Sequence, residues 1–277
     1  MIDLHCHILP ELDDGAKDWD ESLAMCLIAL KDGIHTIVAT PHIKPGIYSP
    51  KKELILSKTK ELNRLLKDKI NSINSTNSMN SKNPVTLKIL PGADIYFQPE
   101  IFNQLKEGTA LFLGQPIDLD SAEPKNSMNP KNSRNSMNYF RYVLLELTDY
   151  FLFPQVKELI KELKGKGIIP ILSHPERNMV IQRNSKVLYE LIQAGALSQV
   201  TAMSVTGEFG REIQKITKKL VTKDLVHIIA SDAHSKDRRP PILSRAVKEA
   251  AKMIGTERAE MMVKEIPQAV LEGRMID

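Results

Sequence analysis

Thiols are scarce in this chain of 277 residues: Cys6 and Cys26 are the two cysteines, and they make no disulfide framework. Aromatic residues are thin as well, at 5% of the composition, and the net charge of +4 comes from lysines and arginines scattered among 34 acidic residues. Together these exclude the basic, aromatic-lined surface that nucleic-acid binding needs. Long apolar runs are also missing. The longest, Leu23 to Leu30, is far too short to cross a bilayer, and no basic-apolar-small leader precedes His5, so a cytoplasmic location without membrane insertion is expected. The length does allow a large core, and it fits one α/β barrel-type domain as well as two smaller ones.

Two stretches stand out against this background. Residues 1–7 read Met-Ile-Asp-Leu-His-Cys-His, and residues 228–234 read Ile-Ile-Ala-Ser-Asp-Ala-His. Each is a short apolar run of the kind that makes a buried strand, and each ends in two metal-capable side chains spaced i, i+2. Successive strand residues point to opposite faces, so His5 and His7 are expected to share a face, as are Asp232 and His234. One His-x-His is as readily a structural pair as a ligand pair; two such pairs in one chain argue for strand ends aiming ligands into one place. Cys6, between the histidines, faces away and reads as a small core residue.

The rest of the chain alternates strand and helix. A polar loop through Asp13-Asp14-Gly15 leads to a helix capped by Asp20 and running to about Asp32, with Leu23, Leu27 and Leu30 on its inner face and Gly33 as its stop signal. Thr36 to Thr40 is a buried strand delivering Pro41-His42, and Lys51 to Ile70 is a charged helix whose apolar side carries Leu54, Leu62, Leu65 and Leu66. At about 71–84 and 121–138 the composition turns to Asn and Ser, with Asn-Ser-Met-Asn starting at Asn77, Asn126 and Asn135. These tracts read as expanded surface loops within a single domain spanning 1–277. Between them lie a strand, Val85 to Leu90, leading to Gly92-Ala93-Asp94-Ile95, and a helix from Gln98 to Lys106. A strand from Phe140 to Leu147 carries Glu146, a helix runs from Pro154 to Lys164, and a strand from Gly167 to Leu172 ends in Ser173-His174-Pro175-Glu176-Arg177. A helix from Ser185 to Gln193, a strand from Ser198 to Met203, a turn at Gly207 and Gly210 and a helix to Lys219 precede the Asp232 strand; helices from Ile242 to Ile254 and Glu257 to Glu265 close the chain. About seven strand-helix units predict parallel strands with right-handed crossovers. Nearly every strand ends in His, Asp or Glu, and such residues meet at the carboxyl ends of the strands in an α/β barrel.

The candidate metal ligands are therefore His5, His7, Asp14, His42, Asp94, Glu146, His174, Asp232 and His234. Five imidazoles and four carboxylates suit two or three divalent cations, and mixed nitrogen and oxygen donors favour manganese, iron or zinc. The positive charge left over, with Arg177 and Arg239 close by, suits an anionic substrate. A phosphate monoester matches: hydroxide activated by metal ions is a strong nucleophile at neutral pH, and guanidinium forks fit phosphate oxygens. Outside such motifs a surface salt bridge would be the ordinary role of either arginine. Arg238 is the weaker of the adjacent pair, and His35 and His227 are left as structural.

The ordered motifs Ile2-Asp3-Leu4-His5-Cys6-His7 with Asp13-Asp14-Gly15, Val38-Ala39-Thr40-Pro41-His42, Ser173-His174-Pro175-Glu176-Arg177 and Ala230-Ser231-Asp232-Ala233-His234 resemble those of the polymerase and histidinol phosphatase (PHP) superfamily. Within it the chain is most similar to the bacterial tyrosine-protein phosphatases that regulate capsular and exopolysaccharide synthesis. The resemblance spans the chain apart from the Asn-Ser tracts. It implies a distorted (β/α)7 TIM-like barrel, a trinuclear site often active with manganese, and as substrate the phosphorylated tyrosine tail of a partner autokinase; a homo-oligomer stays open. By motif position it implies that His5, His7, Asp14, His42, Glu146, His174, Asp232 and His234 are metal ligands and that Arg177 and Arg239 handle phosphate. Two positions depart from the pattern. The family usually has Glu where this chain has Asp94, one methylene shorter, so weaker occupancy of the ion held there is expected; the serine common between the first two histidines is Cys6, with little expected effect.

Tyrosine suits the chemistry, since a phenolate with a pKa near 10 leaves more easily than an alkoxide. The cysteine-based route is excluded, because a Cys-x5-Arg loop would need arginine where Leu12 and Asp32 stand. Two rival readings keep the fold: a histidinol-phosphate or other small phosphomonoester hydrolase, which a pocket closed by long loops would favour, and a non-catalytic, metal-stabilised regulator that binds a kinase.

Overall fold

A computed structural model describes residues 1–76, 86–98, 103–104, 110–114 and 140–276. The strands are β1 (Ile2–Cys6), β2 (Thr36–Ala39), β3 (His42–Ile43), β4 (Lys88–Pro91), β5 (Asp94–Tyr96), β6 (Arg141–Glu146), β7 (Ile168–Ser173), β8 (Leu197–Thr201) and β9 (Ile228–Ala230). All pair in parallel, in two sheets of order β1-β2-β4 and β3-β5-β6-β7-β8-β9. The chain is thus α/β with parallel strands, as the alternation predicts. β3 and β5 continue β2 and β4 past short breaks. At the second break a Cβ on Gly92 would stand 2.7 Å from Val38 Cγ1 and 2.9 Å from Leu113 Cδ2, so only glycine passes there. Backbone bonds cross between elements on both flanks of β1: Thr40 N donates to Cys6 O at 2.9 Å, and Asp232 N donates to His5 O at 2.8 Å. Cys6 and Ala233 form a parallel bridge.

The strands are buried on both faces, which is why they read as near-continuous apolar runs. One apolar cluster collects Ile2, Leu4, Val38, Leu90, Tyr142, Leu144, Ile169, Ile171, Leu197 and Ile228. The alternate residues, among them Ile37, Ile89, Val143, Leu145, Leu172, Val200 and Ile229, pack in a second cluster with the helices. β1 breaks this alternation, because its register against β2 shifts between Asp3 and Cys6. Leu4 therefore packs in the first cluster and Cys6 in the second, while His5 between them joins the polar end of the first. Bulges of this kind re-aim side chains beside functional sites.

The helices are α1 (Trp19–Lys31), α2 (Lys52–Thr76), α3 (Val156–Gly165), α4 (Met179–Arg183), α5 (Lys186–Ala194), α6 (Ala202–Thr206), α7 (Arg211–Thr222), α8 (Ser244–Ile254), α9 (Thr256–Met261) and α10 (Glu265–Leu271), with a 3-10 turn at Pro175–Arg177. Several expectations need correction. Asp18, not Asp20, caps α1: its Oδ1 accepts from Glu21 N at 2.8 Å, and Asp20 sits in the first turn. The inner face of α1 is Ser22, Met25, Cys26 and Ala29, one step round from Leu23, Leu27 and Leu30. Small residues let the helix lie close to the strands. α2 runs on into the Asn-Ser tract, and its buried side is Ile55, Leu62 and Leu66, with Leu54 44% exposed. β8 ends at Thr201, and Met203 opens into α6 instead. A third closing helix, α10, buries Val270 in the first apolar cluster. Of the helix expected from Gln98 to Lys106, Asn103 and Gln104 are helical and the remainder lies almost wholly outside the described residues, as do most of the Asn-Ser tracts. Among the described residues no helix is long and apolar enough to cross a membrane.

Candidate metal centre

Side chains from the carboxyl ends of the strands converge at one end of the sheets. His5 Nε2 and His7 Nε2 approach to 3.0 Å. The other nitrogen of each ring is held from behind, His5 Nδ1 by Gln199 Oε1 at 2.8 Å and His7 Nδ1 by Asp13 Oδ2 at 2.7 Å. Fixing Nδ1 in this way turns Nε2 toward the centre of the site. Asp13 Oδ2 also accepts from His42 N at 2.8 Å, and its Oδ1 accepts from Gly15 N at 2.9 Å. Gly15 lies so close that a Cβ there would meet His7 Cβ at 2.6 Å. The Asp13-Asp14-Gly15 loop is thereby pinned under His7.

His42, first in β3, places Nδ1 3.3 Å from Asp94 Oδ2 and 3.6 Å from Glu146 Oε2. All three of these atoms are buried without a hydrogen-bond partner. Asp94 Oδ1 is satisfied by Ser173 Oγ at 3.1 Å. Asp14 Oδ1 stands 3.6 Å from both His42 Nε2 and His234 Nε2. His174 Nε2 lies 3.9 Å from Glu146 Oε1, at the edge of the cluster. Its ring centroid is 5.9 Å from that of His5.

Asp232 and His234 do meet the cluster, but not by strand alternation. β9 ends at Ala230, and Asp232 takes a left-handed backbone with φ of 51°. Asp232 Oδ1 points at His5 Nε2 (3.4 Å), His7 Nε2 (3.5 Å) and His234 Nδ1 (3.6 Å). Its Oδ2 faces the other way and accepts from Arg177 at 2.5 Å and Arg239 at 2.6 Å. His174 shows the same backbone trait, with φ of 33°, directly after β7.

Three groups of side chains are spaced to hold a cation: His7, Asp14, His42 and His234; His5, His7 and Asp232; and His42, Asp94 and Glu146. The donors are imidazole and carboxylate without thiolate, the mix that suits a borderline divalent ion. The orphaned Nδ1 of His42 and carboxylate oxygens of Asp94 and Glu146 are what such an ion would satisfy, so the residues fit. Burial opposes charge on His7, yet Asp13 and Asp232 raise it to about 10, whereas burial and the neighbouring His7 push His234 down to about 2. Burial and the nearby Asp94 carboxylate lift Glu146 to about 7.

A cleft of about 350 Å³ opens over the cluster, with Arg177 and Arg239 on one side and Lys44, Ile47 and Tyr48 on another. Every site residue expected from the sequence lies within this arrangement, and Arg238 is exposed, away from it. Asp13, Gln199, Lys44 and Tyr48 were not anticipated. Asp13 stood beside an expected ligand in its motif; Gln199, a polar residue inside a buried strand, carried a signal of the same kind. His35 is exposed, and His227 accepts from Ser198 N at 3.1 Å, both outside the site.

The chain matches the family described as "Capsular polysaccharide synthesis, CpsB/CapC" over residues 1–119 and 121–272. It is 32% identical over 264 residues to tyrosine-protein phosphatase YwqE of Bacillus subtilis, covering 95% of this chain and 89% of that one. It is 26% identical to tyrosine-protein phosphatase CpsB of Streptococcus pneumoniae over the full length of both. Among solved structures it superposes with a TM-score of 0.81 and 31% identity, over 100% of this chain and 96% of the other, on one reported with YwqE and CpsB as "unique metal-dependent tyrosine phosphatases". The chain belongs to the CpsB/CapC family of capsular polysaccharide synthesis.

Proposed function

We propose that this chain is a metal-dependent protein-tyrosine phosphatase acting on the phosphorylated tyrosines of a bacterial tyrosine autokinase in the cytoplasm, and so regulating capsule or exopolysaccharide synthesis. The observation that carries the reading is Asp232: one oxygen faces the imidazole cluster and the other holds both arginines, which sets a cation site and an anion site 1 carboxylate apart. Relatives named tyrosine-protein phosphatases support the substrate.

We read the fold as a single domain with a distorted seven-stranded barrel, β1 standing beside both β2 and β9, and the Asn-Ser tracts as loops on it. His5, His7, Asp14, His42, Asp94, Glu146, His174, Asp232 and His234 would hold two or three divalent ions, manganese foremost. Such ions supply Lewis acidity and an activated water at neutral pH. The protein's own part is positioning. Gln199 and Asp13 set the imidazoles, and Arg177 and Arg239 receive the phosphoryl oxygens. Their charge is already organised by Asp232 before substrate arrives, so little reorganisation is needed in the transition state. The tyrosyl ring lies toward Tyr48 and Ile47, and its phenolate departs with little help.

The test is release of phosphate from a tyrosine-phosphorylated peptide and from histidinol phosphate, each with added manganese and with chelator. Turnover of the peptide that chelator abolishes and manganese restores is expected. Turnover indifferent to chelator removes the mechanism, and preference for histidinol phosphate removes the proposed substrate.

A further inference from the structure

The turn between α6 and α7 reads Gly207-Glu208-Phe209-Gly210, and both glycines are left-handed, with φ of 92° and 98°. Backbone bonds close the turn: Gly207 N and Glu208 N donate to Met203 O, and Gly210 N donates to Gly207 O, each at 3.0 Å. Phe209 is only partly buried, so its ring is not spent on the core. It faces the two arginines instead: the Arg177 guanidinium carbon lies 4.8 Å from the ring centroid and that of Arg239 lies 5.6 Å from it. The arginines come from separate parts of the chain, one from the 3-10 turn after β7 and one from the loop after β9. They carry like charge and converge on a single oxygen, Asp232 Oδ2.

Two cations side by side repel, and one carboxylate oxygen fixes only one corner of each fork. A second surface is needed to set their planes, and an aromatic face attracts guanidinium without competing for its N–H donors. Thr201 Oγ1 adds a 3.0 Å bond to Arg177 alone. Arg239 Nε is buried without a partner, so the orientation of that fork rests on Asp232 and the ring.

We propose that Phe209 is a positioning residue: its ring seats Arg177 and Arg239 together as one phosphate-binding clamp. This rests on the phosphatase reading for its substrate, but the clamp itself is defined by anion binding. Loss of the ring frees both forks, and with two contacts of this type weakening together the effect is on the order of tenfold in phosphate affinity.

The experiment measures inorganic phosphate binding to the manganese-loaded protein by calorimetry, and KM and kcat for p-nitrophenyl phosphate, in wild type, F209L and F209Y. Metal content and thermal midpoint are recorded for each. Expected are a roughly tenfold weaker phosphate Kd and a matching rise in KM for F209L at unchanged metal content, with F209Y close to wild type. Wild-type phosphate affinity in F209L overturns the proposal, as does equal impairment of F209L and F209Y. If F209L does not fold, F209M puts the same question with an unbranched, ringless side chain. A wild type that binds phosphate yet hydrolyses no ester defeats the phosphatase reading, while the binding series still decides the role of the ring.

Discussion

Asp13 touches three groups and no candidate cation, which makes Asp13→Asn a clean probe of how the site is held. Its Oδ2 accepts from His7 Nδ1 (2.7 Å) and His42 N (2.8 Å), and its Oδ1 from Gly15 N (2.9 Å). All three contacts need an acceptor. An amide of the same shape has one oxygen and one NH2, so either Gly15 N or the pair His7 and His42 must face a donor. Whichever way it flips, a buried donor loses its partner, and the charge that fixes the tautomer of His7 is gone. Loss of such an outer contact typically weakens metal binding 10- to 100-fold, equivalent to about 1.4–2.7 kcal/mol. The assay is competition with a chelator of known affinity, read as metal retained per protein, with turnover repeated at saturating manganese. Asp13→Asn is expected to lose metal at roughly 10-fold lower chelator strength and to regain much of its turnover when manganese is raised. Metal retention equal to wild type would show that the Nδ1 contacts do not set ligand strength, and the reasoning would fail.

Two further outcomes follow from single residues. Asp94 has a short side chain, and it already spends Oδ1 on Ser173; graded chelation of the metal-loaded protein should therefore remove an ion held by Asp94 and Glu146 first, and a metal count that falls in a single step would contradict this. His227 is held neutral: burial lowers it to about 4, and its Nδ1 accepts from Ser198 N, which protonation would prevent. Its folded value lies below the unfolded value near 6.5, so the unfolded chain takes up the proton first. The stabilisation is complete above about pH 6.5 and drains as pH falls toward 4, reaching a loss of about 2 kcal/mol by pH 5. Urea midpoints of wild type and His227→Gln at pH 7.5 and pH 5 measure it, since metal loss at low pH is common to both; parallel declines would show that His227 is not the group responsible.

Much of the site was legible because its residues announce themselves. His5, His7, His42, His174, Asp232 and His234 are too polar for the apolar runs they end, and that mismatch is visible without coordinates. The strands were legible for the same reason in reverse, since segments such as Ile168–Ser173 are buried on both faces and read as unbroken apolar runs. What stayed hidden depends on phase. The inner face of α1 could not be told from its neighbour, because Ala24, Ile28 and Leu27 are as apolar as Met25 and Ala29, and only tertiary packing chooses between them. The cap at Asp18 was obscured by Asp20, an equally good capping residue two positions on. Phe209 acts on other side chains rather than on a ligand, and nothing local distinguishes it from a loop residue, whereas Gln199 is set apart only by being polar inside a buried strand.

The convergence of Asp232 and His174 is the clearest case in which a correct conclusion had an incomplete cause. Strand alternation would carry Ser173 inward and His174 outward, and Ser173 is indeed inward, bonded to Asp94. His174 also faces the site because its backbone turns left-handed, and Asp232 does the same beyond β9. Of the four non-glycine residues with positive φ among the described residues, these two are buried at the site, while Glu11 and Asp224 are exposed in loops. A left-handed backbone at a non-glycine residue costs of order 1–3 kcal/mol and persists only where the surroundings enforce it. At Asp232 the enforcement is visible: N donates to His5 O, O accepts from His234 Nδ1 and an Arg239 nitrogen, Oδ1 faces the imidazoles and Oδ2 accepts from both arginines. The strain is therefore held by the same contacts that join the cation side to the anion side. A variant that relaxed Asp232 would release strain locally and uncouple the two halves of the site at once.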